Sequence, residues 1–330
     1  MRRLTQIDRL TRPAAEAGLV ASARRATRNE RAWLRPLALV GAAACWGAGT
    51  VVSKQAVAEL QPITLLAVQL AVSVALLSVL AIARGDSLPS GRDGRLLGRL
   101  GLLNPGIAYA LSLIGLTQIS ASLSVLLWAT EPILILILAA LVLGERVGLA
   151  FVVATAIAII GLSLVVFDPA ATGALAGVAL TVAGVGVCAV YTVAARRWLP
   201  GTSDSTFGVV LAQQGYALGL VLIVLVVMAA TGQRILPEQL SAVGAASAAA
   251  SGILYYTLAY LCYLFALRSI PASVAAASFY LVPVFGVALA SIVGERLEPI
   301  QWLGAVLVVG AVAAITMRRG TADASVASPA

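Results

Sequence analysis

The chain has 330 residues, of which 61% are hydrophobic and 11% charged, a net charge of +8 and no histidine. Its mean hydropathy is +1.00, whereas a soluble domain carries about 25% charged residues. These values exclude an ordinary soluble domain, and the missing histidine removes zinc sites built on Cys/His pairs as well as the usual neutral-pH proton switch. We expect no cofactor and no metal.

In chain order, the first 35 residues are basic, alanine-rich and poor in bulky apolar side chains, which predicts a disordered cytoplasmic tail rather than a surface-bound segment. Ala56-Val57-Ala58 resembles a signal-peptide cleavage site. The basic region before it is too long, however, and the apolar run exceeds a signal core. Ten apolar spans follow: 36–53, 62–83, 97–116, 119–143, 147–166, 174–195, 206–229, 243–267, 272–293 and 299–317. Each is long enough to cross a bilayer. Residues 318–330 form a second short cytoplasmic tail.

Charge sets the expected orientation. With both termini inside, nineteen arginines fall on the cytoplasmic side and Lys54, Arg234 and Arg296 outside. Ten against three remain when the tail is ignored, so the positive-inside rule favours this topology and an inner-membrane location. The same arginines border spans instead of forming a basic face, so we expect no nucleic-acid partner. The expected partners are the lipid bilayer and a small-molecule substrate.

The chain repeats itself. Tyr109 to Ser122 aligns with Tyr260 to Ser273 at a constant offset of 151, pairing Leu113 with Leu264, Leu116 with Leu267, Ile119 with Ile270 and Ala121-Ser122 with Ala272-Ser273. Each copy runs into an apolar helix containing a proline, Pro132 or Pro283, and closes on Gly-Glu-Arg at 144–146 or 294–296. Five spans per unit is odd, so the second unit must enter the membrane from the opposite side. The expectation is an all-α membrane protein with inverted repeats at 36–166 and 174–317 around a central cavity, the plan of an alternating-access carrier.

Candidate site residues come from polar groups inside spans. Glu131 is the one acidic side chain placed mid-span, and its repeat mate is Val282, so the symmetry breaks at a carboxylate. Ser120, Ser124, Trp128 and Glu131 share one helical face. Three readings of Glu131 stand together: it holds a substrate ammonium, it carries a proton, or it bonds backbone freed by Pro132. In the eighth span Tyr256 and Tyr260 follow a small-residue stretch and are expected to line a cavity, with Tyr255 beside them. Tyr263 is expected in the interfacial aromatic belt. Tyr109 mates with Tyr260 and follows Asn104-Pro105, whose proline frees backbone that must face protein or a wet cavity. Trp46 lies in the first span. Gly41, Cys45, Gly49 and Ser53 form a packing stripe, and Gln69, Gln213 and Gln214 read as interhelical glue or site groups. Glu145 and Glu295 read as structural.

Cys45-Trp46-Gly47, Glu131-Pro132 with Gly144-Glu145-Arg146, and Pro283 with Gly294-Glu295-Arg296 resemble the drug/metabolite transporter superfamily, specifically its ten-helix EamA-type exporters. Within these the likeness is greatest to YddG-type amino-acid exporters. The resemblance covers residues 36 to 317. It implies a central cavity between the halves and efflux from the cytoplasm. Together with the polar groups inside the spans this leads us to expect an inner-membrane exporter of amino acids or similar small metabolites, with Trp46, Tyr109, Trp128, Glu131, Tyr256 and Tyr260 lining the site. The second copy departs from the first by having Val282 where Glu131 stands. Other drug-like or cationic solutes are the alternative substrates. Anionic sugar phosphates fit poorly, because no lysine or arginine lies in a span interior. An intramembrane enzyme lacks a nucleophile with its base, and a channel gives little reason for the inversion.

Overall fold

A computed structural model describes residues 33–57, 59–116, 118–119, 127–128, 130–145, 148–166, 174–237, 239–292 and 299–326. Ten helical elements run through them: α1 (Leu34–Val57), α2 (Pro62–Arg84), α3 (Gly91–Arg99 and Ala108–Leu116), α4 (Glu131–Leu143), α5 (Leu149–Val166), α6 (Leu175–Trp198), α7 (Thr206–Ala230), α8 (Ala242–Ser251 and Ala259–Leu267), α9 (Ala272–Ala277 and Leu281–Ile292) and α10 (Pro299–Val326). Six of these are long and apolar enough to cross a membrane, and four are shorter apolar helices. In lipid every backbone group must bond internally, which helices alone achieve here.

The third element begins six residues before the expected boundary. Gly91–Arg99 exposes Arg92, Asp93, Arg95 and Arg99 while burying Gly94, Leu97 and Gly98. It packs on α7 by that face, and its charges hide it from a hydropathy reading. In the fourth element the described helix starts at Glu131, so Glu131 sits in its first turn. Ser120 and Ser124 of the expected polar face lie outside the described residues, as do Arg146 and Gly294-Glu295-Arg296.

Packing shows the repeat directly. Exchanging each helix with the one five places on turns the α3–α6 contact into α8–α1 and α4–α6 into α9–α1, while α2–α7, α4–α9 and α5–α10 map onto themselves; all seven contacts are made. Local chemistry repeats too. A Cβ on Gly101 would overlap the Gln213 carbonyl, and one on Gly252, 151 positions later, would lie 2.8 Å from the Gln69 carbonyl. Glycine is required at both, because two helix backbones meet there. The glutamines bond across the same crossings: Gln213 Nε2 donates to the Leu97 carbonyl at 3.0 Å, and Gln69 Nε2 to Ser251 Oγ at 2.8 Å. Both act as interhelical glue.

Acidic side chains tie the halves together at helix starts. Glu59, between α1 and α2, accepts bonds from the Ser241 backbone N–H and hydroxyl, both at 2.7 Å, ahead of α8. Asp204, between α6 and α7, accepts from the Ser90 N–H at 3.3 Å, ahead of α3. Ser90 and Ser241 are again 151 apart. Glu145 does the same for α9: it accepts from Ala272 N–H at 2.8 Å, Ser273 N–H at 3.2 Å and the Ser273 hydroxyl at 2.5 Å. This explains its motif. Gly144 ends α4 in the left-handed region at φ 67°, and the next residue reaches over to cap a helix of the other repeat.

Candidate functional site at the aromatic centre

Both halves deliver rings to one place. α1 supplies Trp46, α3 Tyr109, the residues before α4 Trp128, α8 Tyr255, Tyr256, Tyr260 and Tyr263, and α9 Phe279. Trp46 meets Tyr255, Tyr260, Tyr263 and Phe279 at centroid distances of 6.5, 5.9, 5.5 and 5.4 Å, all edge to face. Tyr109 meets Trp128, Tyr255 and Tyr256 at 5.6, 5.6 and 5.8 Å. Tyr256 and Tyr260 stack at 6.2 Å. These separations match favourable aromatic pairing. All five aromatic residues expected from sequence therefore belong to one connected network, with Trp46, Tyr256 and Tyr260 buried. The rings fill the centre between the halves.

Two irregular turns aim them. Leu103–Ile107 in α3 and Gly252–Leu258 in α8 are π-turns at mated positions. The first contains Asn104, whose φ of −142° and ψ of 121° break the helix ahead of Pro105. The second carries Tyr255 and Tyr256, and its extra residue per turn lets adjacent tyrosines both face the centre. Tyr263 is a correction: it lies buried against Trp46 and Phe279, with its hydroxyl donating to Thr192 Oγ1 at 3.5 Å, not in an interfacial belt.

Glu131 joins this network. Among the described residues it is the only charged side chain in the buried set, 5% exposed. Cys188 of α6 lies beside its carboxyl group. Glu131 and Cys188 are electrostatic neighbours of Tyr255 and Tyr263, and Cys188 also of Tyr109 and Tyr260. Cys188 is the partner that sequence reasoning missed, since a lone cysteine in an apolar helix reads as a small hydrophobe.

Several polar atoms here have no partner among the described residues. Glu131 Oε1, Trp46 Nε1 and the Tyr260 hydroxyl are buried without a hydrogen bond among the described residues. Orphaned buried groups are uncommon and costly, about 1–3 kcal/mol each. Together they form one acceptor and two donors in an apolar frame: the carboxylate suits an ammonium or a proton, Nε1–H and OH suit a carboxylate, and the rings suit apolar bulk. Arg84, Arg99, Arg196, Arg197 and Arg268 lie in or just past the last turn of their helices. Arg196 Nη1 donates to the Leu267 and Arg268 carbonyls at 3.3 and 3.1 Å, and Arg268 Nε to Thr206 Oγ1 at 3.0 Å.

Comparison with known proteins agrees with this architecture. No curated protein matches. The crystal structure of another protein superposes with a TM-score of 0.73 at 20% identity, covering 86% of this chain and 98% of the other. At that identity the likeness establishes the fold. The EamA-like transporter family matches residues 34–167 and again 175–317, one match for each half. Two matches on one chain account for the doubled sequence, the mated contacts and the ten helices together: this multi-pass membrane protein belongs to the EamA-like transporter family.

Proposed function

We propose that this transporter exports amino acids, or small metabolites of similar build, from the cytoplasm across the inner membrane by alternating access. The observation that carries the reading is the pairing of one unpartnered carboxyl oxygen, on Glu131, with two unpartnered donors, Trp46 Nε1 and the Tyr260 hydroxyl, inside the ring network. An α-amino acid presents an ammonium, a carboxylate and a side chain, which these groups complement. Tyr109, Trp128 and Tyr256 supply the surrounding apolar area, favouring aromatic or other apolar side chains. The basic asymmetry supports a cytoplasmic location for both termini, and repeats 36–166 and 174–317 rock against each other around the centre.

A cationic drug-like solute is the second reading. It is favoured by the same Glu131 carboxyl amid electron-rich ring faces, which attract cations. Reconstitution into liposomes with a panel of labelled amino acids, with and without a pH gradient, tests the first reading. Competition by a quaternary ammonium compound separates the two. If no amino acid is transported while the cation is, the amino-acid assignment fails.

A further inference from the structure

On its outer surface the protein carries a wholly apolar groove of about 480 Å³, lined by Leu103 of α3, Leu134, Ile137 and Leu138 of α4, and Ala183, Gly186, Val187 and Val190 of α6. Its size falls within the range that takes a ligand, roughly 300–1,000 Å³. It is separate from the aromatic centre, although Val187 adjoins Cys188 and Leu134 follows Glu131 by one turn. Ile137 and Val190 are half exposed, so the groove opens laterally toward the lipid. Gly186 forms part of its floor, and a Cβ there would meet nothing within 4 Å.

Charge stands at one end of this groove. On α6, Ala183, Val190 and Arg197 recur at intervals of seven, which keeps them on one stripe. On α3, Arg95, Arg99 and Leu103 recur at intervals of four, and α6 packs against this part of α3. Arg95, Arg99 and Arg197 are exposed, with Asp93 the acidic side chain nearby in sequence. At 1.5 Å rise per residue, Ala183 lies about 21 Å along α6 from Arg197. Half a bilayer including its headgroups is about 20–22 Å. The groove and its arginines therefore span one leaflet, with apolar lining at acyl depth and guanidinium groups at headgroup depth.

We propose that this groove binds one anionic phospholipid, its acyl chain against Leu103, Leu138, Gly186 and Val190 and its phosphate with Arg99 and Arg197. Basic residues above an apolar cleft between membrane helices suit acidic headgroups, and guanidinium forks match phosphate oxygens. Such a lipid packs on the helix pair that holds Glu131 and Cys188.

The test is native mass spectrometry of the full-length protein released from nanodiscs containing phosphatidylcholine and phosphatidylglycerol in equal amounts. The wild type should retain one phosphatidylglycerol in preference to phosphatidylcholine. In Arg99→Gln/Arg197→Gln the preference should fall roughly fivefold per arginine, the typical effect of one basic side chain at an anionic surface. A Cβ at Gly186 meets no protein atom within 4 Å, so Gly186→Leu extends from an open position into the groove; it should fold normally and lose retained lipid of both kinds. Ala183→Phe, at the far end, should repeat that loss. Equal retention of the two lipids by wild type overturns the proposal, as does undiminished retention in both filling variants. A wild-type dimer that Gly186→Leu converts to monomer, with lipid retention unchanged, would assign the groove to a second copy of the chain.

Discussion

Replacing Glu145 by alanine should loosen the start of α9 more than the surface position of the residue suggests. Its carboxylate accepts from Ala272 N–H at 2.8 Å, Ser273 N–H at 3.2 Å and the Ser273 hydroxyl at 2.5 Å. Losing a helix-capping acceptor costs about 0.5–2 kcal/mol. Ser273 is 1% exposed, so its hydroxyl and N–H would be left buried without a partner, adding about 1–3 kcal/mol. Glu145 itself is only half buried, and solvent screening discounts the charge contribution. The two ranges add to about 1.5–5 kcal/mol, and screening places the expected loss in their lower part, about 2–3 kcal/mol. Thermal unfolding in detergent would show this as a fall of several degrees. Glu145→Gln keeps an acceptor oxygen and should lose less than half as much. Adding Ser273→Ala to Glu145→Ala should cost less than the two single losses combined, because both remove one interaction. Equal melting of wild type and Glu145→Ala, or fully additive losses, would refute the clamp.

Three further predictions follow from the geometry. Glu59 lies outside the spans, and its bonds from the Ser241 hydroxyl and then the Ser241 N–H hold its carboxyl below the usual range. A depressed pKa contributes stability above the unfolded value near 4.3 and loses it as pH falls through the folded value, so Glu59→Gln should flatten the acid limb of a stability–pH profile and leave its slope above pH 6 unchanged. Tyr260→Phe removes a hydroxyl without a partner among the described residues and should leave thermal stability at or above wild type while lowering transport; parallel loss of both would make that hydroxyl structural. Gly101→Ala places a methyl group on the Gln213 carbonyl at the α3–α7 crossing and should abolish folded protein in fluorescence-detected size exclusion, whereas Gly186→Ala should not.

The repeat was legible because its offset of 151 is constant and its landmarks are glycine, proline and paired apolar residues, whose backbone requirements resist drift. Helical spacing also brought Tyr256 with Tyr260 and placed Trp128 near Glu131. It missed Tyr255 as a full member of the centre, because a π-turn shifts the 3.6-residue register that such reasoning assumes. Distance to the span end points Tyr263 to the interface, whereas its burial depends on Trp46, more than 200 positions earlier. The clamps made by Glu59, Asp204 and Glu145 were illegible for the same reason, since each acid meets a helix start in the other repeat. Cys188 carries no pattern until Glu131 is seen beside it.

Transport itself tests the central claim, that the ring network around Glu131 is the substrate site. Proteoliposomes containing wild type or Glu131→Gln should be compared for uptake and counterflow of labelled amino acids, with and without a pH gradient. The amide cannot supply the carboxylate charge. If Glu131 holds the ammonium, every transported amino acid should bind more weakly in Glu131→Gln; if it carries a coupling proton, gradient-driven transport should vanish while counterflow persists. Wild-type uptake, counterflow and pH dependence in Glu131→Gln would contradict the account and leave Glu131 as a structural neighbour of Cys188 and Pro132.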